Sequence, residues 1–124
     1  MSDYVPNFLP GHELTYTAGA AITGGQVLHI TATGRIVSPT GAASDHTVGV
    51  ACHDAASGAL VTVSRGGEQR PKASGAITAG TPVKAAAAGA VAAWVSGTDN
   101  ASLILGVAIN TVADLANVDI LWRA

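Results

Sequence analysis

Charge, aromatic rings and cysteine are all scarce in this 124-residue sequence. Charged residues make up 11%, where a typical soluble domain carries ~25%. Six Lys and Arg against eight Asp and Glu leave a net charge of −2. That balance excludes a basic surface that binds nucleic acid by neutralising phosphates. With 48% hydrophobic residues, it also excludes a disordered acidic tail, which needs high charge and little hydrophobicity. One cysteine, Cys52, excludes an internal disulfide. No stretch reaches the ~18 apolar residues that span a bilayer. The longest small apolar run, Ala85 to Val95, contains Gly89. Asp3, Pro6, Pro10 and Glu13 interrupt the N-terminal apolar residues, so neither a signal peptide nor membrane contact is expected.

The length supports one hydrophobic core and no second independent one. A domain of this size still exposes much of its chain, and too few charges are present to coat it. Ala, Thr, Ser and Gly must form that surface, and such a surface suits contact with other protein. The core is thin as well. Tyr4, Phe8, Tyr16, Trp94 and Trp122 are all the aromatics there are. Association of subunits is a common remedy for a thin core.

What is present in quantity is an internal repeat. At an offset of 55, Gly11, Glu13, Ala18, Ala21, Ile22, Thr23, Gly25, Ala32 and Gly34 recur as Gly66, Glu68, Ala73, Ala76, Ile77, Thr78, Gly80, Ala87 and Gly89. After a two-residue shift, Gly49, Val50, Ala51, Ala56, Ala59 and Val61 recur as Gly106, Val107, Ala108, Ala113, Ala116 and Val118. Ile36 aligns with Val91 and Val63 with Ile120. Two copies of one supersecondary unit are expected, 11–65 and 66–124, forming a single domain over 11–124 behind an extended arm at 1–10.

Each copy reads as short β-branched strands. Gln26–Thr31 and Arg35–Ser38 flank a Thr33-Gly34 turn, and Thr47–Cys52 and Leu60–Arg65 follow. The fold class is therefore all-β, a compact barrel or sandwich. Lys84 to Trp94 is alanine-rich and favours helix by propensity. Because it aligns with the strand–turn–strand of the first copy, a hairpin is predicted there. Thr111 and Asp114 have capping-box-like spacing, which predicts one helical turn over Thr111–Ala116. In the arm, Pro6 and Pro10 impose extended backbone, and Tyr4, Phe8 and Leu9 are its apolar anchors.

No catalytic constellation is present, so an enzyme is not expected. Cys52-His53-Asp54 offers a thiol, a base and an orienting acid, but neighbours on a strand point to opposite faces. A buried, structural Cys52 is predicted. His12, His29, His46 and His53 lack metal-ligand spacing, and no cofactor motif appears. Asp114 and Asp119 read as turn and strand-face residues. The one charge-dense stretch, Arg65 to Lys72, reads as a solvated edge or as a polar contact that orients a subunit on a partner.

Pro71-Lys-Ala-Ser-Gly-Ala-Ile-Thr-Ala-Gly-Thr-Pro-Val83 resembles the middle segment of small capsid decoration, or cement, proteins of tailed bacteriophages. Gly49-Val-Ala51, Ala56-Ser-Gly58 and Leu60-Val-Thr-Val63 are similar to their Gly-Val-Ala, Ala-x-Gly and Val-x-Val pattern, which returns at Gly106-Val-Ala108 and Val118-Asp-Ile120. The resemblance covers roughly 11–124. It implies an all-β subunit, often a homotrimer, on the outer surface of the virion. Its partner would be the major capsid protein; it would carry no catalytic residue or cofactor and would be made in the host cytoplasm. On this reading Tyr4, Phe8 and Leu9 anchor the arm on the shell, and Arg65, Arg70 and Lys72 set polar registry. A head- or tail-fibre module binding host glycans through Trp94 and Trp122 is the alternative, and a small hydrolase ranks last.

Overall fold

The computed structural model describes residues 13–31, 34–42 and 46–122. Five strands lead the chain: β1 (Leu14–Ala18), β2 (Val27–Ile30), β3 (Ile36–Pro39), β4 (Thr47–Ala51) and β5 (Leu60–Ser64). They close into a barrel in the order β1-β3-β2-β4-β5. Closure depends on β1, which runs parallel to β3 and antiparallel to β5. Alternation selects the interior: along β5, Val61 and Val63 are buried while Leu60 is exposed. Ala18, Ile22, Leu28, Val37, Ala51, Val61 and Val63 fill the barrel. Small barrels are filled by side chains rather than left open, and the alanines at 18 and 51 suit so narrow a bore.

The remaining strands are β6 (Glu68–Gln69), β7 (Pro82–Ala85), β8 (Val91–Ala93), β9 (Ile104–Ala108) and β10 (Ile120–Trp122), in the order β6-β10-β9-β7-β8. The pairings of the first sheet return in the second. β10 pairs β6 and β9 as β5 pairs β1 and β4. β7 pairs β8 and β9 as β2 pairs β3 and β4. Where β1 meets β3 in a parallel ladder, the second sheet has one parallel bridge, Ala73 to Val91. Loop bonds also recur. Ile22 and Ala55 exchange backbone bonds of 2.8 and 2.9 Å, and Ile77 and Val112 exchange bonds of 3.0 and 2.9 Å. The Gly24 N–H donates to Asp54 Oδ1 at 2.7 Å, and the Ala79 N–H donates to Thr111 Oγ1 at 3.0 Å in the corresponding place.

The alanine-rich stretch is strand, turn and strand, with one 3-10 turn at Ala87–Gly89 between β7 and β8. Its reversal uses two left-handed residues, Ala88 (φ 58°) and Gly89 (φ 72°). The first copy uses Gly34 (φ 75°) and Arg35 (φ 51°). The second turn is thus one residue shorter, and the alignment of Ile36 with Val91 is off by one. Val37 is the structural counterpart of Val91: each is fully buried, and each carbonyl accepts from the loop after the first strand position, from Gly19 and Ser74. No helical turn forms at Thr111–Ala116. Val112 is held in the bridge to Ile77, and the Asp114 carboxylate accepts from the Gly75 N–H at 2.7 Å instead of capping. Local capping chemistry lost to a cross-sheet bond.

The two sheets meet along one side of the barrel. Val27 and Val50, paired across β2 and β4, point away from the barrel interior and join the core of the second sheet with Val83, Ala85 and Trp122. Thr40 is buried there. Its hydroxyl donates to Ala86 O at 2.9 Å, and its carbonyl accepts from the Gly89 N–H. Gln26 Nε2 donates to Ala88 O at 3.0 Å. The β7–β8 turn is therefore bolted to the barrel wall, which is why tertiary bonding overrides alanine's helix propensity.

Candidate functional site

The seam between the sheets opens into a groove of about 420 Å³. One wall is Thr23–Gln26, the loop between β1 and β2. The other is Arg70 and Lys72–Ser74 with Ala87–Ala90, and Leu115 and Asn117 stand at the side. Half of the lining residues are Gly or Ala, and most of their backbone amides are already bonded within the chain, Gly24 to Asp54 Oδ1 and Gly89 to Thr40 O among them. Two cations border it, Arg70 and Lys72. Arg70 Nε lies 2.7 Å from Asp119 Oδ1, with the Arg70 side chain still largely exposed. Lys72 is exposed beside Asn117, to which its backbone bridges.

Of the residues singled out by sequence, Arg70 and Lys72 come together at this groove. Arg65 does not; it is exposed after β5, with its Cβ against Gly49. Tyr4, Phe8 and Leu9 lie outside the described residues. Gln26, Leu115 and the Ala87–Ala90 wall escaped the sequence reading. The signal that could have found them is the doubled unit, since two sheets of one kind must share a seam.

Cys52 is exposed, not buried. It sits just past β4, and its thiol donates to Glu13 Oε2 at 3.1 Å. Local desolvation, and then the Glu13 carboxylate, push its pKa up to about 11, the opposite of an activated nucleophile. His53 turns elsewhere: Nε2 accepts from the Thr62 N–H at 3.2 Å and Nδ1 lies 2.9 Å from Asp54 O. The triplet is a strand end, not a triad. His29 and His46 stack with ring centroids 4.9 Å apart. Burial, and then the charge of His46, lower the His29 pKa. Among the described residues no three His, Cys, Asp or Glu side chains gather as metal ligands do.

The tryptophans do not form a paired platform for a sugar. Trp122 is buried in the second core, and Trp94 is half-buried with Nε1 donating to Asn100 O at 2.8 Å. Asp119 is three-quarters covered and engaged with Arg70, so it is no solvated strand-face acid. No helix among the described residues is long and apolar enough to cross a membrane.

A family model described as phage cement protein matches residues 8–123. Among solved structures, the N-terminal base of the head fibre gp8.5 of bacteriophage phi29 superposes with a TM-score of 0.69, covering 90% of this chain and 93% of that one at 16% identity. At that identity the likeness is one of fold. No curated protein matches in sequence.

Proposed function

This chain belongs to the phage cement protein family, and from that premise we propose that it binds the exterior of an assembled phage head and stabilises the expanded shell. The family assigns it a structural role on the phage capsid and makes it a virion-associated protein. The finer reading is a homotrimer seated on the major capsid protein, with residues 1–10 as an arm and 11–124 as one doubled β domain. A packaged genome loads the boundaries between capsomers. A protein that binds across those boundaries in the expanded lattice stabilises that lattice by mass action. It must prefer the expanded lattice to the precursor, because equal affinity for both shifts nothing. Three subunits engaging several sites at once convert modest contacts into firm attachment.

Tyr4, Phe8 and Leu9 supply apolar anchors in this scheme. Lys72 and Arg70 border the groove and offer polar registry to an acidic segment of the shell, and Arg65 would contribute from outside the groove. No chemistry is required of any of them. The observation that carries the reading is the family match, which runs over nearly the whole chain. The test is cosedimentation of the purified protein with expanded heads and with precursor heads. Pelleting with expanded heads alone is expected; pelleting with neither, at saturating protein, would reject the reading. Deleting residues 1–10 is expected to weaken binding without altering the thermal melt.

A further inference from the structure

The turn that leads into β5 returns before β10 with the same bonds. In the first copy the Ala18 N–H donates to Ala59 O at 2.8 Å, the Gly58 N–H to Ala18 O at 2.7 Å and the Ala59 N–H to Ala56 O at 3.0 Å. In the second, the Ala73 N–H donates to Ala116 O at 2.8 Å, the Leu115 N–H to Ala73 O at 2.9 Å and the Ala116 N–H to Ala113 O at 3.3 Å. This frame holds one residue in the left-handed region, Gly58 at φ 87° and Leu115 at φ 66°. Glycine adopts that region freely. In leucine the Cβ crowds the following carbonyl oxygen.

Burial does not offset that strain. Leu115 is 71% exposed, more than any other large hydrophobic residue among those described. Space does not distinguish the two turns either, since a Cβ at Gly58 would meet nothing within 4 Å. The rung beside the turn changes as well. Thr17 pairs Leu60 in the first copy, and Lys72 bridges Asn117 in its place. Lys72 is exposed and has no carboxylate partner among the described residues, whereas Arg70 is held by Asp119. Asp114, next to Leu115 in the chain, is engaged by the Gly75 N–H at 2.7 Å. An apolar knob and an available cation therefore stand together at the rim of the groove, where the first copy has a glycine and a threonine.

Backbone strain that presents a bulky side chain to solvent marks contact with another molecule. We propose that Leu115 seats in an apolar pocket on the assembled head shell, with the Lys72 ammonium paired to a shell Asp or Glu carboxylate beside it. The inference rests on the capsid reading and assigns a contact within it. Charge complementarity selects the carboxylate. A desolvated apolar anchor supplies affinity, and the flanking ion pair fixes register. Burying a leucine side chain is worth roughly ten- to a hundredfold in affinity.

The test measures thermal melts and cosedimentation with expanded heads for wild type, Leu115→Gly, Leu115→Asn and Leu115→Met. Glycine and asparagine both accept the left-handed backbone, so these two variants are expected to melt at or above the wild-type temperature and yet bind heads at least about tenfold more weakly. Leu115→Met keeps an apolar side chain and is expected to bind as wild type does. A zero-length carbodiimide cross-link on wild type bound to heads should join Lys72 to an Asp or Glu of the shell protein. Leu115→Gly or Leu115→Asn binding as tightly as wild type overturns the proposal. So does a Leu115→Gly melt below wild type, which would make the leucine part of the fold. Loss of self-association in these variants, seen by sedimentation velocity, would make Leu115 a contact between copies and also overturn it. Cross-links from the shell that avoid Lys72 would refute the ion pair. A wild type that pellets with no heads rejects the capsid reading and this contact together, whereas a wild type that binds no better than Leu115→Gly rejects the contact alone.

Discussion

Gly106 is pressed so closely against the backbone of Leu121 that a Cβ would collide with the Leu121 carbonyl. Gly49 meets Ser64 in the same way at the matching position of the barrel. Each glycine lets the fourth strand of its sheet approach the fifth where a side chain could not fit. Gly106→Ala is therefore expected to destabilise by about 1–3 kcal/mol, the usual cost of overpacking a tight site. Gly25→Ala, at a positive φ with open space around it, is expected to cost about 1–2 kcal/mol from backbone strain alone. Urea denaturation of the two variants checks the order, and a Gly106→Ala protein as stable as wild type would refute the clash.

Thr40 joins the sheets from a nearly dry position. Thr40→Val keeps the volume but leaves Ala86 O without its donor, which predicts a loss of about 1–3 kcal/mol. Thr40→Ser keeps the hydroxyl and gives up one methyl, which predicts a loss of about 0.8 kcal/mol. Chemical denaturation should rank the serine variant above the valine variant.

The Lys84 ammonium contacts Asp99 Oδ2 at 2.8 Å, and the Val95 N–H donates to the same oxygen at 2.9 Å. These bonds, Lys84 first, hold the Asp99 pKa below its ordinary value. A depressed carboxylate pKa contributes stability above the unfolded value, ~4, and that contribution is lost as pH falls through the folded value. Thermal melts of wild type and Asp99→Asn should differ at neutral pH and converge in acid. A difference that persists unchanged in acid would show that the charge is not responsible.

Cys52 is exposed yet should react sluggishly. Its pKa near 11, against the ordinary 9.0, cuts the thiolate fraction at neutral pH roughly hundredfold. Alkylation by iodoacetamide should be slow, with a rate that climbs past pH 9. Glu13→Gln removes the carboxylate that opposes ionisation and should speed the reaction. A Glu13→Gln rate equal to wild type would remove Glu13 from the explanation.

The sequence by itself determined the all-β class, the strands from Gln26 onward in the first copy, the doubling and the family, but not β1, which closes the barrel, nor its short counterpart β6. Strand identity lay in β-branched alternation such as Val61 and Val63, where burial and propensity agree. The doubling allowed the alanine-rich 84–94 stretch to be read as a hairpin against its own propensity, because a second copy must share the backbone of the first. What only the tertiary structure decided were positions where a distant partner competes with local chemistry. Thr111 and Asp114 could cap a helix, but Ala79 and Gly75 across the sheet claim their oxygens. Cys52 looked like a core residue because cysteine is apolar, and the barrel ends one residue before it. The one-residue shortening of the second turn cannot be read from identities, since Gly34 and Gly89 both match and only the register of Val37 and Val91 differs. Which outer face the other sheet covers is also tertiary. Val27 and Pro82 hold the same place in like sheets, and their fates differ because one sheet follows the other and covers only the first.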